Sequence, residues 1–101
     1  MPSNLRLRIG ARADEDLADI ASFTDERWGS IQTESYVSTL QNAYEELCQF
    51  PAAGHRRIDL PPEMRVWPVG RHLIVYLPTD EELQIVRIVH RRQDFSRIEL
   101  Y

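Results

Sequence analysis

Hydrophobic and polar positions change period twice along the chain, and each change marks a new element. From Asn4 to Ile9 they alternate, with Leu5, Leu7 and Ile9 on one side and Arg6 and Arg8 on the other. Period two predicts a half-buried strand. Gly10 breaks it. From Ala13 the spacing becomes helical: Ala13, Leu17, Ile20, Ala21, then Thr24 and Trp28. Asp14, Glu15 and Asp16 fall in the first turn, where carboxylates favour the positive end of the helix dipole. Gly29 is placed as the C-terminal stop, and Ser30 can cap a second helix. That helix carries the stripe Tyr36, Val37, Leu40, Ala43, Tyr44, Leu47 and Phe50. It ends at Phe50-Pro51, because the residue before proline avoids the helical region. Only Gly29-Ser30 separates the two helices, which predicts an antiparallel hairpin.

Ala52 to Pro62 reads as a loop, punctuated by Gly54 and Pro61-Pro62. Three β runs follow. Met64–Val69 reverses at Val69-Gly70-Arg71, where glycine makes a tight turn cheap. His72–Leu77 is β-branched and aromatic and stops at Pro78, which has no N–H for a ladder. Thr79, Asp80 and Glu81 form a polar turn. Leu83–Val89 alternates, with Leu83, Ile85, Arg87 and Val89 on one side and Gln84, Val86 and Ile88 on the other. Both sides are mostly apolar, so this strand is expected at the centre, covered on both faces. The tail Phe95–Tyr101 fits either an extra strand or a terminal turn. The order β-α-α-β-β-β predicts one α+β domain over residues 1–101, with the helical hairpin on one face of a small, mainly antiparallel sheet.

Composition narrows the function classes. The formal net charge of −4 argues against a free-standing nucleic-acid binder held by many phosphate contacts. The charge is uneven: residues 1–54 carry four arginines and nine acids, residues 55–101 eight arginines and seven acids. There is no lysine, so every strong cation is a guanidinium, suited to planar contacts with carboxylate or phosphate. Cys48 is the only cysteine and lies on the apolar helical stripe, as a small buried hydrophobe would. His55, His72 and His90 lack ligand spacing, so neither metal nor cofactor is expected. No apolar run approaches a membrane span, and the first residues lack an apolar signal region. A cytoplasmic protein is the expectation.

Four blocks, taken in order, resemble the ParE branch of the ParE/RelE toxins of type II toxin–antitoxin pairs. They are Ala13, Asp16-Leu17, Ile20, Phe23 and Trp28-Gly29; Tyr36 and Leu40 leading to Leu47, Phe50-Pro51, Gly54 and Arg56; Arg65, Val69-Gly70, Ile74 and Tyr76; and Ile85 through His90, closed by Arg92 and Asp94. His90-Arg91 stands where the family usually has His-Gly, and His72 where an aromatic is usual. The resemblance implies a toxin that inhibits DNA gyrase by protein contact and is neutralised by a ParD-like antitoxin. It implies no specific nucleic-acid binding by the toxin alone. The arginines of residues 55–101 suit the acidic tail such antitoxins often carry.

Residues expected to contact target or antitoxin are Arg65, Trp67, Arg71, Tyr76, His90, Arg91 and Arg92. The enzyme alternative is a RelE-like, ribosome-dependent endoribonuclease using Arg65, Arg71, His90 and Arg92, in which cations surround a scissile phosphate and an imidazole moves the proton. A third reading is a non-toxic module that only binds antitoxin. Blander roles stand beside these. Arg87, inside the central strand, should pair with a buried acid or a backbone carbonyl. Arg65 is close in sequence to Glu63 and Asp59. Trp67 and Tyr76 could be core residues.

Overall fold

The computed structural model describes residues 4–101. Strand β1 (Arg6–Ile9) leads through Gly10 into helix α1 (Ala11–Gln49); strands β2 (Arg65–Val69), β3 (His72–Pro78) and β4 (Glu82–His90) follow, then a 3-10 turn at Phe95–Arg97. The sheet order is β1-β4-β3-β2. β1 runs parallel to β4, and the other pairs are antiparallel. The fold is α+β, and β4 is the central strand that its two apolar sides require.

The helix runs without a gap in the chain, but it is not straight. Its 39 residues would span about 58 Å as a rod, whereas the longest dimension of the domain is 40 Å. The break is Gly29, whose φ of 84° and ψ of 176° are not helical. Positive φ is open to glycine and strained for other residues. The chain therefore doubles back into two arms, residues 11–28 and 30–49. The amide of Leu5 donates to the Cys48 carbonyl (3.1 Å), which returns the end of the helix to the start of the domain. Two details differ from the sequence reading. The helix starts at Ala11, before Ala13, with Gly10 as N-cap. Ser30 makes none of the side-chain hydrogen bonds among the described residues, and the reversal falls at Gly29.

The core has two layers. On the helix side Ala13, Leu40, Ala43, Tyr44 and Leu47 pack against Val69, Ile74, Tyr76, Leu83, Ile85 and Ile88. On the other side Val66, Leu73, Val75, Val86 and Val89 are covered by Leu60 and Met64 of the loop and by Phe95, Ile98 and Leu100 of the tail. The tail is thus a terminal turn that continues as a cover for the sheet. Asp94 caps its turn by accepting from the Ser96 amide (3.0 Å). Cys48 is buried, and burial pushes its thiol pKa up.

Strict alternation in β4 fails at one point. Val75 pairs with Arg87 and Tyr76 with Ile85, which leaves Val86 as an extra residue in a β-bulge. Before the bulge Leu83 and Ile85 face the helices; after it Ile88 does, while Val86 and Val89 join the opposite layer. The expected grouping of Leu83, Ile85, Arg87 and Val89 on one side is therefore corrected. An inserted residue reverses the parity of everything beyond it.

Arg87 finds both kinds of partner anticipated for it. Its Nε and Nη2 donate to the two carboxylate oxygens of Asp16 (2.7 and 2.9 Å), and Nη1 donates to the Glu99 carbonyl. Asp16 Oδ2 also accepts from the Ile88 amide (2.9 Å). The side chains of Arg87 and Asp16 are only 12% and 13% exposed, so removing one partner strands a largely buried charge. Asp16→Ala is expected to destabilise the domain by about 3 kcal/mol, read as a lower urea midpoint, with part of the loss regained by Arg87→Met in the same background. A loss below about 0.5 kcal/mol would class the pair with ordinary surface ion pairs.

Candidate functional site

Arg71, His90, Arg91 and Arg92 meet at one corner of the sheet. Gly70 and Arg71 form the two-residue turn between β2 and β3, and Gly70 has a φ of +53°. The ring of Tyr36, from the second helical arm, lies directly against this turn. A Cβ at Gly70 would stand 2.7 Å from Tyr36 Cε1, so the position tolerates no side chain. The Arg91 amide donates to the Arg71 carbonyl (3.0 Å), joining the β2–β3 turn to the end of β4. The Arg92 amide donates to His90 Nδ1 (3.2 Å), which folds the chain back after the strand. These backbone contacts hold three exposed guanidinium groups on adjacent turns. Among the described residues none of Arg71, Arg91 and Arg92 forms an ion pair.

Beneath the arginines lies an aromatic and imidazole cluster. His72 is directly opposite His90 in the β3–β4 ladder, and their rings meet edge to face at 5.7 Å between centroids. Tyr36 Oη lies 2.6 Å from His72 Nδ1, accepts from the Arg71 amide (3.2 Å) and donates to the Val69 carbonyl (3.2 Å). The short contact to His72 Nδ1 ties the phenol to the imidazole, the direction of that bond following the tautomer of His72. Burial pushes the Tyr36 pKa up, against the pull of Arg71 and Arg91, and keeps the phenol protonated. Burial also depresses the His72 pKa, helped by His90 and Arg71 and opposed by the Asp16 carboxylate.

The remaining predicted residues lie elsewhere. Arg65 starts β2, four steps and about 13 Å along the strand from Val69 at the turn. Its Nη1 donates to the carbonyls of Gly54 (2.8 Å) and Ala52 (3.4 Å), not to Glu63 or Asp59. Tyr76 is fully buried, which removes it from the contact surface. Its hydroxyl donates to the Pro51 carbonyl and accepts from the Gly54 amide, both at 2.8 Å, so it anchors the loop after the helix. Trp67 is partly buried against the helix-side layer. The set Arg65, Arg71, His90 and Arg92 therefore does not converge on one point. Tyr36 and His72 were absent from the predicted site. Tyr36 sits on a helical stripe that reads as core, and nothing local in the sequence places His72 beneath Arg71. Among the described residues no group of three or more His, Cys, Asp or Glu comes together as a metal would need.

Helical hairpin, mixed sheet and basic corner define a small α+β domain that displays guanidinium groups on a rigid sheet end. Comparison with known proteins gives that domain a family. The model for "ParE toxin of type II toxin-antitoxin system, parDE" matches residues 7–95. Toxin ParE1 of Mycobacterium tuberculosis (strain ATCC 25618 / H37Rv) is 31% identical over 93 residues, covering 91% of this chain and 95% of its own length. Toxin ParE1 of Caulobacter vibrioides is 30% identical over 84 residues, covering 83% and 86%. A chain of the solved chromosomal ParDE TA system from P. aeruginosa has the same fold, with a TM-score of 0.75, 20% identity, and 86% of this chain and 96% of that chain covered. The protein belongs to the ParE toxin family of type II toxin–antitoxin systems.

The depressed pKa of His72 makes the corner pH-sensitive in a definite direction. Unfolded, its imidazole titrates near the ordinary value of 6.5; folded, it titrates lower. Between those two values the unfolded chain binds more protons, so folding stability falls as the pH drops. Urea midpoints measured at pH 7.5, 6.5 and 5.5 should decline for the parent protein and decline less for His72→Gln. Parallel slopes for the two proteins would show that His72 carries no such coupling.

Proposed function

We propose that this chain is a growth-arresting toxin that binds DNA gyrase by protein contact through Arg71, Arg91 and Arg92, and that a cognate ParD-like antitoxin neutralises it. Membership of the ParE family supports the toxin reading. The observation that carries the site is the corner itself: three exposed guanidinium groups without acidic partners, fixed by the Arg91 amide to Arg71 carbonyl bond and backed by Tyr36 and His72. Arginines without an existing ion pair have none to break on meeting carboxylates of a partner, and they supply forked hydrogen bonds once there. His90 fits this reading as a wall of the corner, because its Nδ1 is occupied by the Arg92 amide.

The removal of Arg65 from the corner weakens the nuclease alternative. Arg65 donates to the loop carbonyls of Gly54 and Ala52 and does not face His90, so the four-residue nuclease set is incomplete.

The test is a supercoiling assay with purified gyrase. The parent protein should inhibit, and Arg71→Ala/Arg91→Ala/Arg92→Ala should lose inhibition by about tenfold or more per contact removed. The triple variant should still bind the antitoxin encoded beside the chain. Messenger cleavage in a translation extract, abolished by His90→Ala, would replace the gyrase reading with the nuclease one.

A further inference from the structure

The helical hairpin is longer than the sheet that it covers. The Gly10 amide meets the Ile85 carbonyl and Asp16 meets the Ile88 amide (both 2.9 Å), so the first arm and β4 run the same way. From Asp16 to Trp28 the arm rises about 18 Å. From Ile88 to the end of β4 at His90 the strand adds only about 7 Å. The last turns before Gly29 therefore overhang the end of the sheet by about 10 Å. This is the end that carries the basic corner, because Tyr36 of the returning arm lies against the Gly70 turn.

The apolar stripe of the first arm runs on past the sheet. Ala13 is fully buried, and Leu17 and Ile20 pack on the helix-side layer, but Trp28 at the far end of the same stripe is 60% exposed. Phe23 (54% exposed) and Ile31 (85%) flank it around the reversal. Isolated exposed apolar residues are ordinary, whereas three at one tip form a patch without a partner. Charge is unpaired on both sides of the step between overhang and sheet. Asp25, Glu26 and Glu34 on the overhang are exposed. Among the described residues they form no ion pair, and neither do Arg71, Arg91 and Arg92 at its foot. Arg27 is taken up by the ring of Phe23, 4.7 Å from its centroid.

We infer that this end of the domain is its own complement, and that two copies of the chain associate through it about a two-fold axis. Each overhang fills the step beside the sheet end of the other copy. Asp25 and Glu26 of one copy meet the basic corner of the second, and the same contact recurs with the copies exchanged, as an isologous interface requires. Trp28 lies at the centre, where its ring face takes a guanidinium of the second copy. Phe23 and Ile31 keep water from that contact. A uniformly acidic chain fits this end less well, because it gains at the corner and is repelled at the overhang. A second copy satisfies both halves with the charges already present. The dimer covers Arg71, Arg91 and Arg92, so a molecule within it does not offer them to gyrase; that consequence alone rests on the gyrase reading above.

Sedimentation of the full chain without antitoxin, from about 1 to about 200 µM, tests the contact. A monomer–dimer equilibrium is expected, weakened by about tenfold or more between about 50 mM and about 500 mM NaCl. Trp28→Ser should weaken it by at least about tenfold. Asp25→Arg/Glu26→Arg and Arg91→Glu/Arg92→Glu should each be monomeric alone, because their overhang and corner then carry like charge. Mixed in equal amounts, the two should form a heterodimer, since both contacts across the two-fold are then between opposite charges. A parent protein still monomeric at about 200 µM overturns the inference. So does a dimer that survives either swap, or a pair of swapped variants with native circular dichroism that stay apart when mixed. The supercoiling assay separates this contact from the gyrase reading. At concentrations where the parent is dimeric, Asp25→Arg/Glu26→Arg should inhibit at least about threefold more per molecule, because its competent fraction is larger. Equal inhibition by both proteins overturns the masking and leaves the dimer; no inhibition by either overturns the gyrase reading and leaves the dimer.

Discussion

One carboxylate holds the architecture together. β1 pairs with β4 only as far as Ile9 opposite Ile85, because the chain must then leave the sheet to start the helix. From there β4 continues with an unpaired outer edge. Asp16, one turn into the helix, closes it by accepting the Ile88 amide and both forks of Arg87. Arg87 in turn holds the Glu99 carbonyl, which lays the tail over the second face. Helix start, central strand and tail are therefore fixed by a single cluster of charge-assisted bonds. In a domain with no disulfide, that cluster replaces a covalent staple at the point where the ladder ends.

The bulge at Val86 is the second constraint, and the basic corner depends on it. Leu83 and Ile85 face the helices with odd numbers; past the bulge the even-numbered Ile88 does so. His90 follows Ile88 by two residues and so meets His72, which is two residues before Ile74 on the same face. Were the same residues kept in unbroken alternation from Leu83, His90 would point to the tail side, and the arginines that follow would leave the corner. A local irregularity in the ladder thus decides which side chains share a surface. Bulges near functional surfaces commonly re-aim side chains in this way.

These two devices also explain what could be read from residues alone. The hydrophobic periods were legible because each element buries a face: the stripe from Tyr36 to Leu47, the alternation of β1 and the break at Gly29 all appear in the structure. Of the seven residues singled out, Arg71, His90, Arg91 and Arg92 lie together because the Arg91 amide bonds the Arg71 carbonyl and joins the β2–β3 turn to the end of β4. Tyr76 and Arg65 were misplaced because their partners, Pro51, Ala52 and Gly54, are loop carbonyls with no sequence signature. Tyr36 and His72 were missed for the opposite reason: their contact spans 36 positions and depends on how the hairpin lies on the sheet. Family resemblance supplied the fold, but it could not show which arginines remain unpaired.

Unpaired arginines at Arg71, Arg91 and Arg92 and weakly paired ones at Arg6 and Arg8 lie at different places on one sheet, and the distinction has a physical consequence. The helical hairpin concentrates the acids of the chain, with Arg27 as the sole arginine between Ala13 and Phe50. It therefore disfavours an acidic chain, whereas the free guanidinium groups of the sheet favour one. Attraction falls with distance as salt screens it, over about 8–10 Å at ordinary ionic strength. The corner and the β1 pairing lie at different places along β4: β1 pairs with residues 82–85, and the corner begins at His90, about 16 Å further along the strand. Each surface can thus select its own partner by local charge and shape.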